Sequence, residues 1–296
     1  MNPLDDQLGR AWAGRARDFP PRIHFARPNR TVPISLTGPA CALDCAHCGG
    51  HYLAHMVPIE RALTSRRVRE AASLLVSGGC DAAGRVPVRQ HLPAIRALAT
   101  GRRLNWHVGL IAADDVAAIA PHVDTVSLDF VGDEATIREV YGLPATVADY
   151  VATYRRLRAH NLRVVPHLTI GLRGGVLGHE EPALDALAEL EPEALVFLVL
   201  IPTPGTRYAH RSPPPAEDAA ALLADARLRF PHTPLLLGCM RPGGAYRSRL
   251  DALAVRAGIN GIVNPAPAAR RLAESLGLEA VPGDECCVFS SLFDAP

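Results

Sequence analysis

Val32-Pro33-Ile34-Ser35-Leu36-Thr37-Gly38-Pro39-Ala40-Cys41-Ala42-Leu43-Asp44-Cys45-Ala46-His47-Cys48 decides how this chain is read. It joins a short β-rich apolar run (32–36), a Thr-Gly-Pro stop and three cysteines within eight residues. Outward from it, further short apolar runs follow at 74–77, 104–110, 123–130, 162–170, 194–201, 234–237 and 259–263. Helical patterns lie between them at 65–72, 115–119, 147–160, 183–190, 216–229, 245–257 and 268–276. Near-continuous apolar strands separated by helices imply a parallel sheet covered on both faces. Eight such units close most naturally into an α/β, (β/α)8 TIM-type barrel. A doubly wound open sheet is the alternative, but no GxGxxG turn follows the first strand.

On this reading residues 1–30 form an N-terminal extension and residues 31–280 the barrel. Residues 281–296 form a tail with a cysteine pair that packs over the barrel mouth. No Gly/Ser-rich linker splits the chain, and Pro213–Pro215 reads as a loop before a helix.

Basic and acidic residues nearly balance, for a net charge of +1, which removes the electrostatic case for nucleic acid. No apolar run reaches the length of a membrane span. The start, MNPLDDQLGRAWAGRARDF, carries early acids and no apolar core, so it is not a secretory signal. A cytoplasmic protein is expected, and its seven cysteines then read as thiols or metal ligands before disulfides.

Cys41, Cys45 and Cys48 form a Cx3Cx2C pattern. Thiolates are soft ligands suited to iron–sulfur clusters. Three of them hold three corners of a cubane and leave one iron without a protein ligand, the open position a catalytic metal needs. The competing reading is zinc, which usually shows paired CxxC motifs or a Cys/His set, and His47 lies between the last two cysteines.

Placed after the first strand of a β/α barrel, this motif resembles the radical S-adenosylmethionine superfamily. The resemblance implies that the open iron of a [4Fe–4S] cluster chelates S-adenosyl-L-methionine. Its reductive cleavage then yields a 5′-deoxyadenosyl radical that abstracts hydrogen from an unactivated carbon. It also implies cofactor contacts. His47 stands where the family usually has an aromatic residue, with its imidazole able to pack on adenine. Ser77, Gly78 and Gly79 stand where a Gly-Gly-Glu motif binds the methionine amino group, although Cys80 and Asp81 replace the glutamate. Ser127 and Asp129 end the strand that carries ribose contacts, with a helix N-cap as the plain alternative for Asp129. His167, Thr169 and Gly171 on the fifth strand, and Thr203 to Thr206 after the sixth, face the same mouth.

Cys80 follows the second strand and Cys239 the seventh, both at the C-terminal ends where barrel sites form. With Cys286 and Cys287 from the tail they could hold a second iron–sulfur cluster. Ordinary buried cysteines are the bland alternative. If the tail is extended, adjacent side chains point to opposite faces, so Cys286 and Cys287 would not share a cluster. Three cysteines with Arg241 or a vacant position would then complete it.

Cysteines spread over strand ends make the chain similar to the biotin synthase-like branch of the superfamily. The segments CALDCAHCGGHYLAHM, SGGCDAAGRVP, LGCMRPGG and ECCVF resemble one subunit of a two-protein lipoyl synthase. That resemblance implies sulfur insertion into an octanoyl chain, with the second cluster as sulfur donor. It also implies an acyl-carrier or lipoyl-domain protein as substrate, a second radical enzyme as partner, and an electron donor such as ferredoxin or flavodoxin. Two other readings stand beside it: radical chemistry without sulfur insertion, as in a mutase, lyase or dehydrogenase, and a non-catalytic metal-binding scaffold. Asn105, His107, His167 and Arg241 are expected to line the pocket, and they do not identify a substrate.

Overall fold

The structure, a computed structural model, describes residues 2–290. Its contacts divide the chain into two compact units. One joins residues 29–166 to 202–210. The other joins residues 2–28, His167–Ile201 and 211–290. Eleven strands occur among the described residues.

The first of these units holds β2 (Thr31–Ser35), β3 (Val57–Pro58), β4 (Ser73–Ser77), β5 (Arg103–Trp106) and β6 (Thr125–Asp129), after β1 (Arg22–Ala26) in the other. They lie in the order β6-β5-β4-β2-β3. Every ladder is parallel; Ile34 is opposite Val76, and Val76 opposite Trp106. The C-terminal ends of β2, β4, β5 and β6 therefore share one edge of this sheet. Leu74, Val76, Leu104, Trp106, Val126 and Leu128 are all buried. Burying each such side chain contributes ~1.5–3 kcal/mol, which is why these strands read as unbroken apolar runs.

β7 (Val164–Ile170) begins in this unit, and from His167 onward it belongs to the second. There it is followed by β8 (Leu195–Val199), β9 (Leu235–Leu237), β10 (Gly261–Val263) and β11 (Glu279–Gly283). The order is β11-β1-β10-β9-β8-β7, again all parallel. His24 of β1 lies opposite Gly261 on one side and Val281 on the other.

All eight expected strands form, with ends shifted by a few residues. β1, β3 and β11 were not expected. The supposed N-terminal extension is part of the fold: Pro3–Asp18 is a helix and Arg22–Ala26 an inner strand. Its signals were present in the sequence. Asn2 caps the helix by accepting from Leu4 N–H, Pro3 occupies the first turn, Asp5 and Asp6 sit near the N-terminus, and Arg15 and Arg17 near the end. The helix buries Leu8, Ala11 and Arg15, and the Arg15 guanidinium donates to the carbonyls of Phe19 and Arg22. The expected tail is likewise part of the sheet as far as Gly283. A 3-10 turn at Cys287–Phe289 follows, and residues 291–296 of the expected tail lie outside the described residues. Among the described residues, no helix is long and apolar enough to cross a membrane.

Candidate iron–sulfur loop and a second thiol group

The loop after β2 is fixed by its own polar groups. Ser35 Oγ donates to Gly38 O at 2.6 Å, and Thr37 Oγ1 donates to Ala40 O at 2.7 Å. Gly38, Gly49 and Gly50 take left-handed φ values of 58°, 50° and 74°, which glycine alone adopts without strain. Cys48 N–H and Gly49 N–H both donate to Cys45 O, tying the second half of the motif into a turn.

The end of β4 grips this loop. Gly79 N–H donates to Thr37 Oγ1 at 2.7 Å, Ala42 N–H to Cys80 O at 2.8 Å, and Cys80 N–H to Cys41 Sγ at 3.3 Å. A Cβ on Gly79 would stand 2.0 Å from Ala40 O and 2.6 Å from Cys41 Cα. The second glycine is therefore required by close backbone approach to a motif cysteine, not only by a turn. Two more segments of the unit hold the loop. Ala46 N–H donates to Val140 O, and Tyr208 N–H to Ala46 O. Arg207 donates to the carbonyls of Asp44, Glu139 and Val140, and Tyr208 OH to Glu139 Oε1 at 2.6 Å. Tyr52 OH and Thr203 Oγ1 are 2.7 Å apart. Residues 137–141 form a π-helical turn, a rare device that is frequent at functional sites. Glu139, Arg207 and Tyr208 were not expected; they sit in segments with no motif and no periodicity.

Cys41, Cys45, Cys48 and Cys80 are all partly buried. Burial pushes the Cys45 thiol up to about 12, and Cys48, Cys41, Cys80 and Asp44 add to the shift. Cys80 is likewise pushed up to about 12, by burial first and then by Cys41, Asp129, Asp81 and Cys48. Burial also raises Cys48, while the N–H groups of Gly50, Tyr52 and His51 pull it back. The ionisation of Cys45, Cys48 and Cys80 is thus opposed by neighbouring thiols as well as by burial. Cations between them would reverse that cost.

The other expected residues of this unit are placed as follows. His47 is pushed down to about 4 by burial, so its imidazole is neutral at pH 7. Its Nδ1 is buried without a hydrogen-bond partner, and its ring meets Tyr141 edge-on at 5.7 Å. Ser77 ends β4. Ser127 Oγ donates to Asn105 Oδ1 at 2.9 Å, both residues being buried. Asp129, at the end of β6, is exposed and acts electrostatically on Cys80, Tyr141 and Tyr150. The cap of the following short helix is Asp133, so the N-cap alternative for Asp129 does not hold. His107, just after β5, is pushed down to about 4 by burial.

The second unit contains its own thiol group. Cys239 follows β9, and its thiol is raised by burial first and by Cys286 second. The residue is exposed, so Cys286 is the more telling cause. Cys287 is buried and hydrogen-bonded to Cys286, and both Cys286 and Cys239 raise its pKa. Cys286 and Cys287 are thus hydrogen-bonded, with Cys239 within electrostatic reach of both, and Cys80 N–H lies on Cys41 Sγ. Cys286 opens a 3-10 turn, so the alternation expected of an extended tail does not apply to the pair. Arg241 has a structural role in place of the expected ligand role. It is buried in a two-pronged ion pair with Asp251 at 2.7 and 2.9 Å and also donates to the carbonyls of Gly238 and Asn264. His167 is buried on β7, and the carbonyl of Thr169 faces His179 Nε2 at 2.9 Å.

Among the described residues, no three His, Cys, Asp or Glu side chains are arranged to hold a single metal ion. A cubane takes each thiolate on a different iron, so its thiols stand apart.

Fold and site together define a parallel β/α protein of the TIM-type class built around a three-thiol loop after β2. No family model matches the chain. A biotin synthase from Brucella canis is 26% identical over 310 residues, covering 96% of this chain and 86% of that protein. Among solved structures, methylornithine synthase (PylB) superposes with a TM-score of 0.68 at 14% identity, over 94% of this chain and 89% of its own. The FeFe-hydrogenase maturase HydG from Carboxydothermus hydrogenoformans gives 0.65 at 15% identity, over 89% and 64%. At such identities the structural matches speak for the fold, and they bear out the TIM-type class. Sequence similarity to biotin synthase thus extends over nearly the whole chain, and the fold is shared with these solved structures.

Proposed function

We propose that the chain inserts sulfur into an aliphatic chain, with an octanoyl group on a carrier protein as the substrate. The observation that carries this reading is that six of the seven cysteines form a Cx3Cx2C loop, to which Cys80 is hydrogen-bonded, and a Cys239–Cys286–Cys287 group. One thiol group suffices to cleave S-adenosyl-L-methionine; a second is what sulfur donation needs. The biotin synthase relatives support this by name.

Cys41, Cys45 and Cys48 would hold a [4Fe–4S] cluster. The donor set fits: three soft sulfurs, a neutral His47 and backbone N–H groups aimed at Cys48 and Cys41 suit an anionic sulfur-rich group. When bound, such a cluster supplies the electron that cleaves the sulfonium. Cys80 N–H orients the Cys41 sulfur. Arg207, Glu139 and Tyr208 hold the loop rigid, and Gly79 lets β4 approach it. Ser77, Gly78, Gly79, Ser127 and Asp129 supply polar groups along the same sheet edge for S-adenosyl-L-methionine. Cys239, Cys286 and Cys287 would hold the second cluster. A second radical enzyme and a ferredoxin or flavodoxin donor complete the system.

The test is an anaerobic assay of the reconstituted protein with an octanoylated carrier peptide, with and without a second radical enzyme. Expected are 5′-deoxyadenosine, sulfur on the peptide and a matching fall in acid-labile sulfide. Deoxyadenosine formed with sulfide unchanged would overturn sulfur insertion and favour a mutase or lyase. No deoxyadenosine under any condition would overturn the enzyme reading.

A further inference from the structure

β1 brings a histidine to the second thiol group. His24 lies in the middle of that strand, between β10 and β11, and is 6% exposed. It lines a cavity of about 190 Å³ whose wall also includes Ala26, Cys286, Cys287, Phe289 and Ser290. One ring nitrogen is accounted for: Nδ1 is 3.0 Å from Ser290 Oγ. The other, Nε2, is buried and has no hydrogen-bond partner.

A buried polar atom left unsatisfied costs ~1–3 kcal/mol, and a strand interior is a poor place for one. With the proton on Nδ1 and donated to Ser290, Nε2 presents a free lone pair. That is how a metal-ligating histidine is held: one nitrogen fixed by a hydrogen bond, the other on the metal. Burial, and then Arg22, lower the pKa of His24, which keeps the ring neutral as a ligand must be. Imidazole beside thiols is a donor set that iron–sulfur clusters accept, and it exchanges one sulfur for nitrogen.

We propose that His24 is the nitrogen ligand of the iron–sulfur cluster held by Cys239, Cys286 and Cys287. The proposal rests on the second cluster of the preceding section. It fills through His24 the position that Arg241, committed to Asp251, does not offer.

The experiment uses the full chain with Cys41, Cys45 and Cys48 changed to alanine, so that the second cluster is read alone. The protein is reconstituted anaerobically, iron and sulfide are counted, and the dithionite-reduced cluster is examined by pulsed EPR with natural-abundance and 15N-labelled histidine. Expected is a cluster's complement of iron and a nitrogen coupling that changes on labelling. The same coupling should be absent in His24→Ala and in His24→Cys, with His24→Cys retaining full iron. The labelled wild-type histidine gives the answer even where a His24 variant folds poorly. Full iron without histidine coupling, or coupling that persists in His24→Cys, overturns the role of His24 and leaves the second cluster standing. No iron in the triple alanine protein overturns the second cluster itself.

Discussion

The two thiol groups are built in opposite ways. Cys41, Cys45 and Cys48 come from one loop whose shape is set by neighbours in sequence: Ser35 on Gly38, Thr37 on Ala40, Cys48 on Cys45. Cys239, Cys286 and Cys287 come from the end of β9 and a turn after β11, and meet only because β11, β1, β10 and β9 stand side by side. A local site is announced by spacing. A site assembled across strands is announced by nothing except a cysteine count, and its members can be misassigned. Cys80, expected with the second group from its position after β4, has its backbone N–H on Cys41 Sγ.

The hardest way to break the comparison is to remove thiols from one group at a time. Cys45→Ala should abolish 5′-deoxyadenosine formation and lower iron by one cluster, leaving the other cluster's iron in place. Iron analysis and chromatographic assay of deoxyadenosine check it; unchanged deoxyadenosine would end the assignment of the loop. A Cys239→Ala, Cys287→Ala double variant should do the reverse, removing a cluster's iron and sulfur transfer while deoxyadenosine formation continues. If both variants lose both clusters, the groups are not independent.

Gly79→Ala tests the grip of β4 on the loop at a site that ligates nothing. Its Cβ has no space beside Ala40 O and Cys41. Forcing it in should cost ~1–3 kcal/mol in thermal or denaturant unfolding and lower iron at the first group more than at the second. Equal loss at both would mean that the variant simply unfolds.

The smallest effect serves as the control. Asp149 closes a capping box, accepting from Thr146 N–H and Oγ1 at 2.8 Å. Those hydrogen bonds, backbone first, hold its carboxyl below the usual aspartate range. A folded pKa below the unfolded value of ~3.9 means stability that is present above that pH and is lost as pH falls through the folded value. Asp149→Asn should cost ~0.3–1 kcal/mol at pH 7, the value of a negative charge in a helix's first turn. The gap should close on acidification and iron should be unchanged, as denaturant titrations at several pH values would show.

The eight runs of apolar residues gave eight strands because a strand buried on both faces needs apolar side chains at successive positions. β1 escaped notice because Arg22-Ile23-His24-Phe25-Ala26 has polar residues at alternate places, yet it lies between two other strands. β11, with Pro282 and Gly283 and largely exposed side chains, carries the composition of a loop.

The sequence by itself determined a parallel β/α fold and a Cx3Cx2C loop directly after a strand. Both depend on short-range patterns, apolar runs and a fixed cysteine spacing, which survive without knowledge of the packing. Only the tertiary structure decided that Cys80 belongs beside Cys41, that Arg241 is bound to Asp251, and that His24 stands near Cys286 and Cys287. Those relations join residues up to hundreds of positions apart, and strand order, which no local pattern encodes, is what brings them together.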